Sequence, residues 1–233
     1  MKVHPIEAFS DNYIWLIQEG SKAVVVDPGE GPQVMEYLEE NNLDLTAILL
    51  THNHDDHIGG VLEIYEKYPE IPVYGPDEAE PLVTHNVKGG DSFNLFDEKV
   101  EVLLTAGHTE GHISYLMGDK LFCGDALFSA GCGRVFTGDY DAQFAAMQQF
   151  RKLKNNVRVF AGHEYTETNL RFALTIRPHD VELTESLNEV VELRAHDLPT
   201  LPSTIGKEKE INLFLQADTV EEFKELRNAR DQF

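Results

Sequence analysis

The chain has 233 residues, 41 acidic against 19 basic, and a formal charge of −22. That length suits one large domain, or a medium one with an appendage, around an ordinary core, and the acidic excess repels nucleic acid phosphates. Two cysteines, Cys123 and Cys132, make no disulfide framework, the N-terminus lacks a signal peptide's basic and apolar regions, and no apolar run reaches membrane-spanning length. The expectation is a cytoplasmic protein with neither nucleic acid nor membrane as partner.

In chain order, "NYIWLIQ" (12–18) and "KAVVVD" (22–27) are predicted as paired strands around a turn at 19–21. "DPGEGP" (27–32) breaks the chain before an amphipathic stretch at 33–41, and "TAILLT" (46–51) is a compact apolar run of buried-strand type. After Gly59 and Gly60, "VLEIYEKY" has a helical pattern, and "VEVLLTA", "ISYLM", "KLFCGD" and "RVFAG" supply further strands. The first two thirds therefore read as α/β. Asp27, His52, His108, Asp125 and His163 each fall at or just beyond a strand end, where α/β sheets build their sites.

Beyond His163 the pattern turns helical. "LTESLNEVVELRAHDL" places Leu183, Leu187, Val190, Val191 and Leu198 at helical spacing, and "TVEEFKELRNARDQF" does the same with Val220, Phe223 and Leu226. The expected division is a catalytic region at 1–163 and a helical subdomain at 164–233.

The densest chemistry lies in "LLTHNHDDHIGG" (49–60). In an extended segment residues i and i+2 project to one side, so His52 and His54 can grip one ion while Asp56 and His57, on the following turn, face a second. Imidazole and carboxylate suit zinc and comparable first-row metals. A lone surface histidine is ordinarily just solvated, but this H-x-H-x-D-H run has distant partners of the same chemistry. "TAGHTEGH" offers His108, "FCGDALF" offers Asp125 and "FAGHEYT" offers His163. Asp125 is the natural bridge, since a carboxylate can give one oxygen to each ion. His112 reads as a supporting residue and not a ligand, and His4, His85, His179 and His196 as surface or packing residues.

"THNHDDHIGG", "AGHTEGHISY", "FCGDALFSAGCGR" and "AGHEYT", in that order, resemble the metallo-β-lactamase superfamily. "DNYIW", "GCGR", "HEYT", "LPST" and the closing "RNARDQF" resemble, more narrowly, its glyoxalase II (hydroxyacylglutathione hydrolase) branch, over nearly the whole chain. The resemblance implies a four-layer αβ/βα sandwich with a C-terminal helical subdomain that binds substrate. It implies one metal on His52, His54 and His108, a second on Asp56, His57 and His163, and Asp125 bridging. The ions would be zinc, with iron or manganese as alternatives, and glutathione would be gripped by Arg134, Tyr165, Arg227 and Arg230. Arg227 and Arg230 stand at i, i+3 on a predicted helix and so share a face, as a carboxylate clamp requires.

The sequence departs from relatives at Asn53, often histidine, at Ala126, often threonine, and at Phe136, where some carry a substrate-contacting tyrosine. The segment between "INLFLQ" and the last helix is compressed. The implied reaction is hydrolysis of S-(2-hydroxyacyl)glutathione, typically S-D-lactoylglutathione, by a monomer in methylglyoxal detoxification. Asp56 and Asp125 act beside a metal-activated hydroxide, and a thiolate leaves without a strong general acid. Alternatives are another thioesterase or lactonase of the superfamily, a mononuclear iron persulfide dioxygenase, and a non-catalytic metal-binding module. A nuclease is disfavoured by the charge and the lack of a large inserted domain.

Overall fold

The computed structural model describes residues 1–233 and falls into two compact units, Met1–Leu104 with Thr109–Gly118, and Thr105–His108 with Asp119–Phe233. No helix is long and apolar enough to cross a membrane.

In the first unit, β1 (Lys2–Ala8), β2 (Asn12–Glu19) and β3 (Lys22–Val26) form an antiparallel meander. The turn between β2 and β3 closes at Gly20, whose φ of 62° is open to a residue without a Cβ. After β3 the pairing becomes parallel, through β4 (Asp44–Leu49), β5 (Val73–Gly75) and β6 (His85–Asn86). Parallel neighbours need crossovers. Here α1 (Gly31–Glu40) links β3 to β4, and α2 (Asp55–Ile58) and α3 (Val61–Lys67) link β4 to β5. In α1 a proline sits in the first turn and Val34 and Leu38, four apart, are both buried. They join Ile14, Leu16, Val25, Ile48, Ile64 and Val73 in one core. The chain continues into a second antiparallel meander, β7 (Ser92–Leu95), β8 (Glu98–Leu104) and β9 (Ile113–Met117).

The second unit pairs β10 (Lys120–Gly124) in parallel with β11 (Arg158–Ala161) across α4 (Tyr140–Arg151), and β12 (Ser203–Thr204) antiparallel to β11. The remaining helices are α5 (Thr166–Ile176), α6 (Val181–Ala195), α7 (Ile205–Ile211), α8 (Leu213–Gln216) and α9 (Val220–Asp231). Of the six helices α4–α9, all but α5 have side-chain N-caps, from Asp139, Asp180, Thr204, Asn212 and Thr219.

The apolar stripe expected on α6 is narrower than its spacing suggests. Leu183 and Val190 are buried and Leu187 is partly buried, but Val191 is exposed, because it lies roughly 80° around the helix from Leu183. Leu198 stands beyond the helix end and is 50% exposed. On α9 the buried residues are Phe223 and, unexpectedly, Arg227, while Leu226 is only partly buried.

Candidate active site

Four expected ligands occupy the segment after β4. His52 follows the strand by three residues, His54 is the N-cap of α2, and Asp56 and His57 lie within that helix. Their order is imposed by Asp27, the residue after β3. The parallel register sets Val26 opposite Leu49, and Asp27, at φ 51°, turns its buried carboxylate onto the neighbouring segment. One oxygen accepts from the Thr51 backbone N–H at 2.8 Å, and the other from the Thr51 hydroxyl at 2.7 Å and His57 Nδ1 at 3.1 Å.

These bonds fix the imidazole tautomers. A carboxylate only accepts, so His57 carries its proton on Nδ1 and presents the Nε2 lone pair, 3.7 Å from Asp56 Oδ2. The Thr51 hydroxyl gives its proton to Asp27 and so accepts from His52 Nδ1 at 2.9 Å. His52 Nε2 is then a lone pair, 3.1 Å from His54 Nδ1. Asn12 Nδ2 donates to Asp56 Oδ2 at 3.0 Å, and the buried His112 ring stacks on His52 with centroids 4.8 Å apart. Asp27, His52 and His57 also bring three donor atoms within 4.8 Å of one another. Asp27 is nonetheless an orienting group, since both of its oxygens are already engaged by Thr51 and His57. The Pro28–Gly31 turn packs tightly here, because a Cβ on Gly29 would lie 2.0 Å from the Asp56 carbonyl oxygen.

The second unit assembles its three expected ligands from separate segments. Asp125 directly follows β10, His163 follows β11 by two residues, and parallel pairing of Gly124 with Ala161 brings them together. Asp125 Oδ2 lies 3.4 Å from His163 Nε2 and 3.5 Å from His108 Nε2. His108 Nδ1 donates to the Arg134 carbonyl at 2.8 Å, so its Nε2 is again a lone pair turned towards a carboxylate. A Cβ on Gly133 would meet the Asp125 carbonyl at 2.0 Å and His108 Nδ1 at 2.8 Å, so only glycine lets the chain pass.

This donor chemistry fits divalent metal. In both units acceptor faces acceptor at close range, which a cation between them satisfies. The remote ring nitrogens of His52, His57 and His108 are held by hydroxyl, carboxylate and carbonyl respectively, as those of metal-binding histidines usually are.

The four residues expected to hold glutathione differ in setting. Arg134 is largely exposed, with Nε 3.4 Å from Asp231 and its guanidinium 5.8 Å from the Phe136 ring centroid. Tyr165 lies flat on His163, centroids 4.6 Å apart. Arg227 is only 5% exposed; it donates to the Cys132 carbonyl at 2.7 Å and to Asp231 at 2.8 Å. Arg230 is half-buried and donates to Asn169 Oδ1 at 3.3 Å, and burial, reinforced by the Arg227 charge, lowers its pKa. The two arginines thus share a helix but not an environment. Sequence reasoning passes over the orienting roles of Asp27 and Asn12, although an acid ending a buried strand beside the histidine segment was a usable signal.

The description "Metallo-beta-lactamase superfamily" matches residues 9–163 and "Hydroxyacylglutathione hydrolase C-terminus" matches 164–233. The chain is 49% identical over 234 residues to a hydroxyacylglutathione hydrolase of Haemophilus ducreyi, covering all of both, and 48% identical to one from Vibrio cholerae over 218 residues, 93% of this chain and 86% of that one. Among solved structures it resembles ETHE1 from Myxococcus xanthus, with a TM-score of 0.75, 25% identity, and coverage of 98% of this chain and 90% of that one. It also resembles TTHA1623, solved in a di-iron-bound form, with a TM-score of 0.67, 25% identity, and coverage of 91% and 100%. The α/β fold expected from the motifs is therefore the metallo-β-lactamase fold, and the chain belongs to the hydroxyacylglutathione hydrolase family of that superfamily.

Proposed function

We propose that the protein hydrolyses S-(2-hydroxyacyl)glutathione, with S-D-lactoylglutathione as the typical substrate, to a 2-hydroxy acid and glutathione. One metal would be held by His52, His54 and His108 and a second by Asp56, His57 and His163, with Asp125 shared. Zinc is the metal we assign, acting in a cytoplasmic monomer. The observation that carries this reading is the 49% identity running the full length of both chains, C-terminal region included.

Bound divalent ions of this kind lower the pKa of a water towards neutrality and polarise the carbonyl it attacks. The protein's own part is orientation. Asp27 and Thr51 set His52 and His57, the Arg134 carbonyl sets His108, and Asn12 holds Asp56, which would orient the attacking water. No cysteine serves as nucleophile: burial pushes the Cys132 thiol up to about 11 and the Cys123 thiol well above its ordinary value, so both stay protonated. A thiol leaving group of pKa roughly 8.5 departs as thiolate without a strong general acid. For the tripeptide, Arg134 and Arg230 meet its carboxylates and Tyr165 flanks them. Arg227 acts from behind, since Asp231 joins it to Arg134.

The test is a thioesterase assay across several acyl-thiols, a lactone and a β-lactam, beside elemental analysis of the same preparation. Turnover of lactoylglutathione with two metal ions per chain is expected. An untouched thioester beside a cleaved lactone or β-lactam would discard the substrate, and one iron with oxygen uptake would favour persulfide oxidation.

A further inference from the structure

The turn from Phe128 to Arg134 is held by side chains drawn from distant parts of the second unit. Glu208 accepts from the Ala130 N–H at 2.8 Å and the Ser129 hydroxyl at 2.9 Å. Asn212 Nδ2 donates to the carbonyls of Phe128 at 3.1 Å and Gly131 at 2.9 Å. Asn169 Nδ2 donates to the Ser129 carbonyl at 3.0 Å, and Arg227 takes the Cys132 carbonyl. Ala130 sits at φ 55°, which an L-residue adopts only when its surroundings impose it.

Glu208 and Asn212 are both fully buried and bonded to each other at 3.0 Å, and a carboxylate with no cation among its hydrogen-bond partners is a poor core residue in itself. Its four partners are the Ala130 N–H, the Asn212 amide and the hydroxyls of Ser129 and Ser203. Two of those four belong to the turn, and the turn ends in Arg134.

We propose that Glu208 and Asn212 are positioning residues for substrate binding: they shape the 128–134 turn and so aim the Arg134 side chain. This rests on the reading of Arg134 as a glutathione-binding residue. Asn212→Asp separates shape from bonding, because aspartate still caps α8 through the bonds to Phe214 and Leu215 but sets a carboxylate against two carbonyls and Glu208. Glu208→Gln is the conservative control. Its amide oxygen can replace Oε2, which faces two obligate donors, while its NH₂ meets two hydroxyls that can reverse.

The experiment measures kcat and KM for S-D-lactoylglutathione, and the Kd of glutathione by calorimetry, in metal-replete protein. Asn212→Asp is expected to raise KM and Kd about tenfold with a smaller fall in kcat. Glu208→Ala, which strips the Ala130 N–H and the Ser129 hydroxyl of their acceptor, should act in the same direction, and Glu208→Gln, which can keep both bonds, should rescue most of that loss. In an Arg134→Ala background Asn212→Asp should raise KM and Kd no further, since both act on binding through one side chain, while its smaller fall in kcat, which passes through the Arg134 carbonyl to His108, should persist. If Asn212→Asp fails to fold, Asn212→Ser, which keeps a capping oxygen and drops the amide donor, decides the same cycle with about a threefold rise. Full additivity in KM and Kd with Arg134→Ala, or an unchanged KM in a folded Asn212 or Glu208→Ala variant, would overturn the proposal. A wild-type enzyme inert towards the thioester would instead refute the substrate, a separable result.

Discussion

In the first unit, four candidate ligands lie within six consecutive positions and one carboxylate, Asp27, orients two of them through Thr51 and His57. In the second unit, His108, Asp125 and His163 come from three separate segments, and strand pairing together with the 128–134 turn sets their order. The compact motif thus depends on a few long-range contacts, chiefly from Asp27 and Asn12, and the dispersed one on the packing of a whole subdomain. A substitution should therefore fail locally in the first case and through neighbours in the second.

The largest effect is expected from Asp125→Ala, which removes the carboxylate that His108 and His163 both face. Activity should fall roughly a thousandfold or more, and elemental analysis should show lost metal, because the proposed assignment makes Asp125 a ligand of both ions. Full activity in that variant would remove Asp125 from the reaction.

Asp27→Asn addresses the other arrangement. The amide keeps the shape, but with its oxygen kept for the obligate donor, the Thr51 backbone N–H, its NH₂ meets the Thr51 hydroxyl and His57 Nδ1, both of which are donating. One imidazole then changes tautomer and loses its metal-facing lone pair. Metal affinity, measured by competition with a chelator, should fall about 10–100-fold while the melting profile of the metal-free protein changes far less. Wild-type affinity would show that Asp27 is a fold residue and nothing more.

This contrast also explains what the sequence disclosed. The H-x-H-x-D-H run and the apolar strands before Asp27, His52, Asp125 and His163 were legible because their signals are local, a period or a spacing within a dozen residues. Asp27 was visible only as a strand end, since its partners lie 24 and 30 positions away and no pattern encodes that register. Arg227 misled for a related reason. Helical periodicity assigns the inward face of α9 to Phe223 and Leu226, and an arginine is expected outside, yet the Cys132 carbonyl and Asp231 give its guanidinium partners in the interior. Glu208 left no trace at all, because a glutamate amid "GKEKEI" reads as solvated charge until the turn it serves is in place.

The smallest expected effect concerns that glutamate and bears on stability alone. Burial raises the Glu208 pKa above the ordinary 4.5, against the opposing pull of its hydrogen bonds from Ser203, Ala130, Asn212 and Ser129. The folded state therefore holds this proton more tightly than the unfolded chain does. For an acid shifted upward, stability is complete below the unfolded pKa and declines as pH rises through the folded one. Glu208→Gln has no proton to lose, so its melting temperature relative to wild type should climb as pH rises from the ordinary glutamate range, and level off once the buried carboxyl has ionised. The difference should be about a few degrees, the ordinary scale of a single substitution in a domain of this size. Comparing the two proteins pH by pH cancels the titrations they share, the histidines of the site included. A difference that stays flat across that range would mean the four donors already offset the burial, leaving Glu208 as charged in the interior as it is in water.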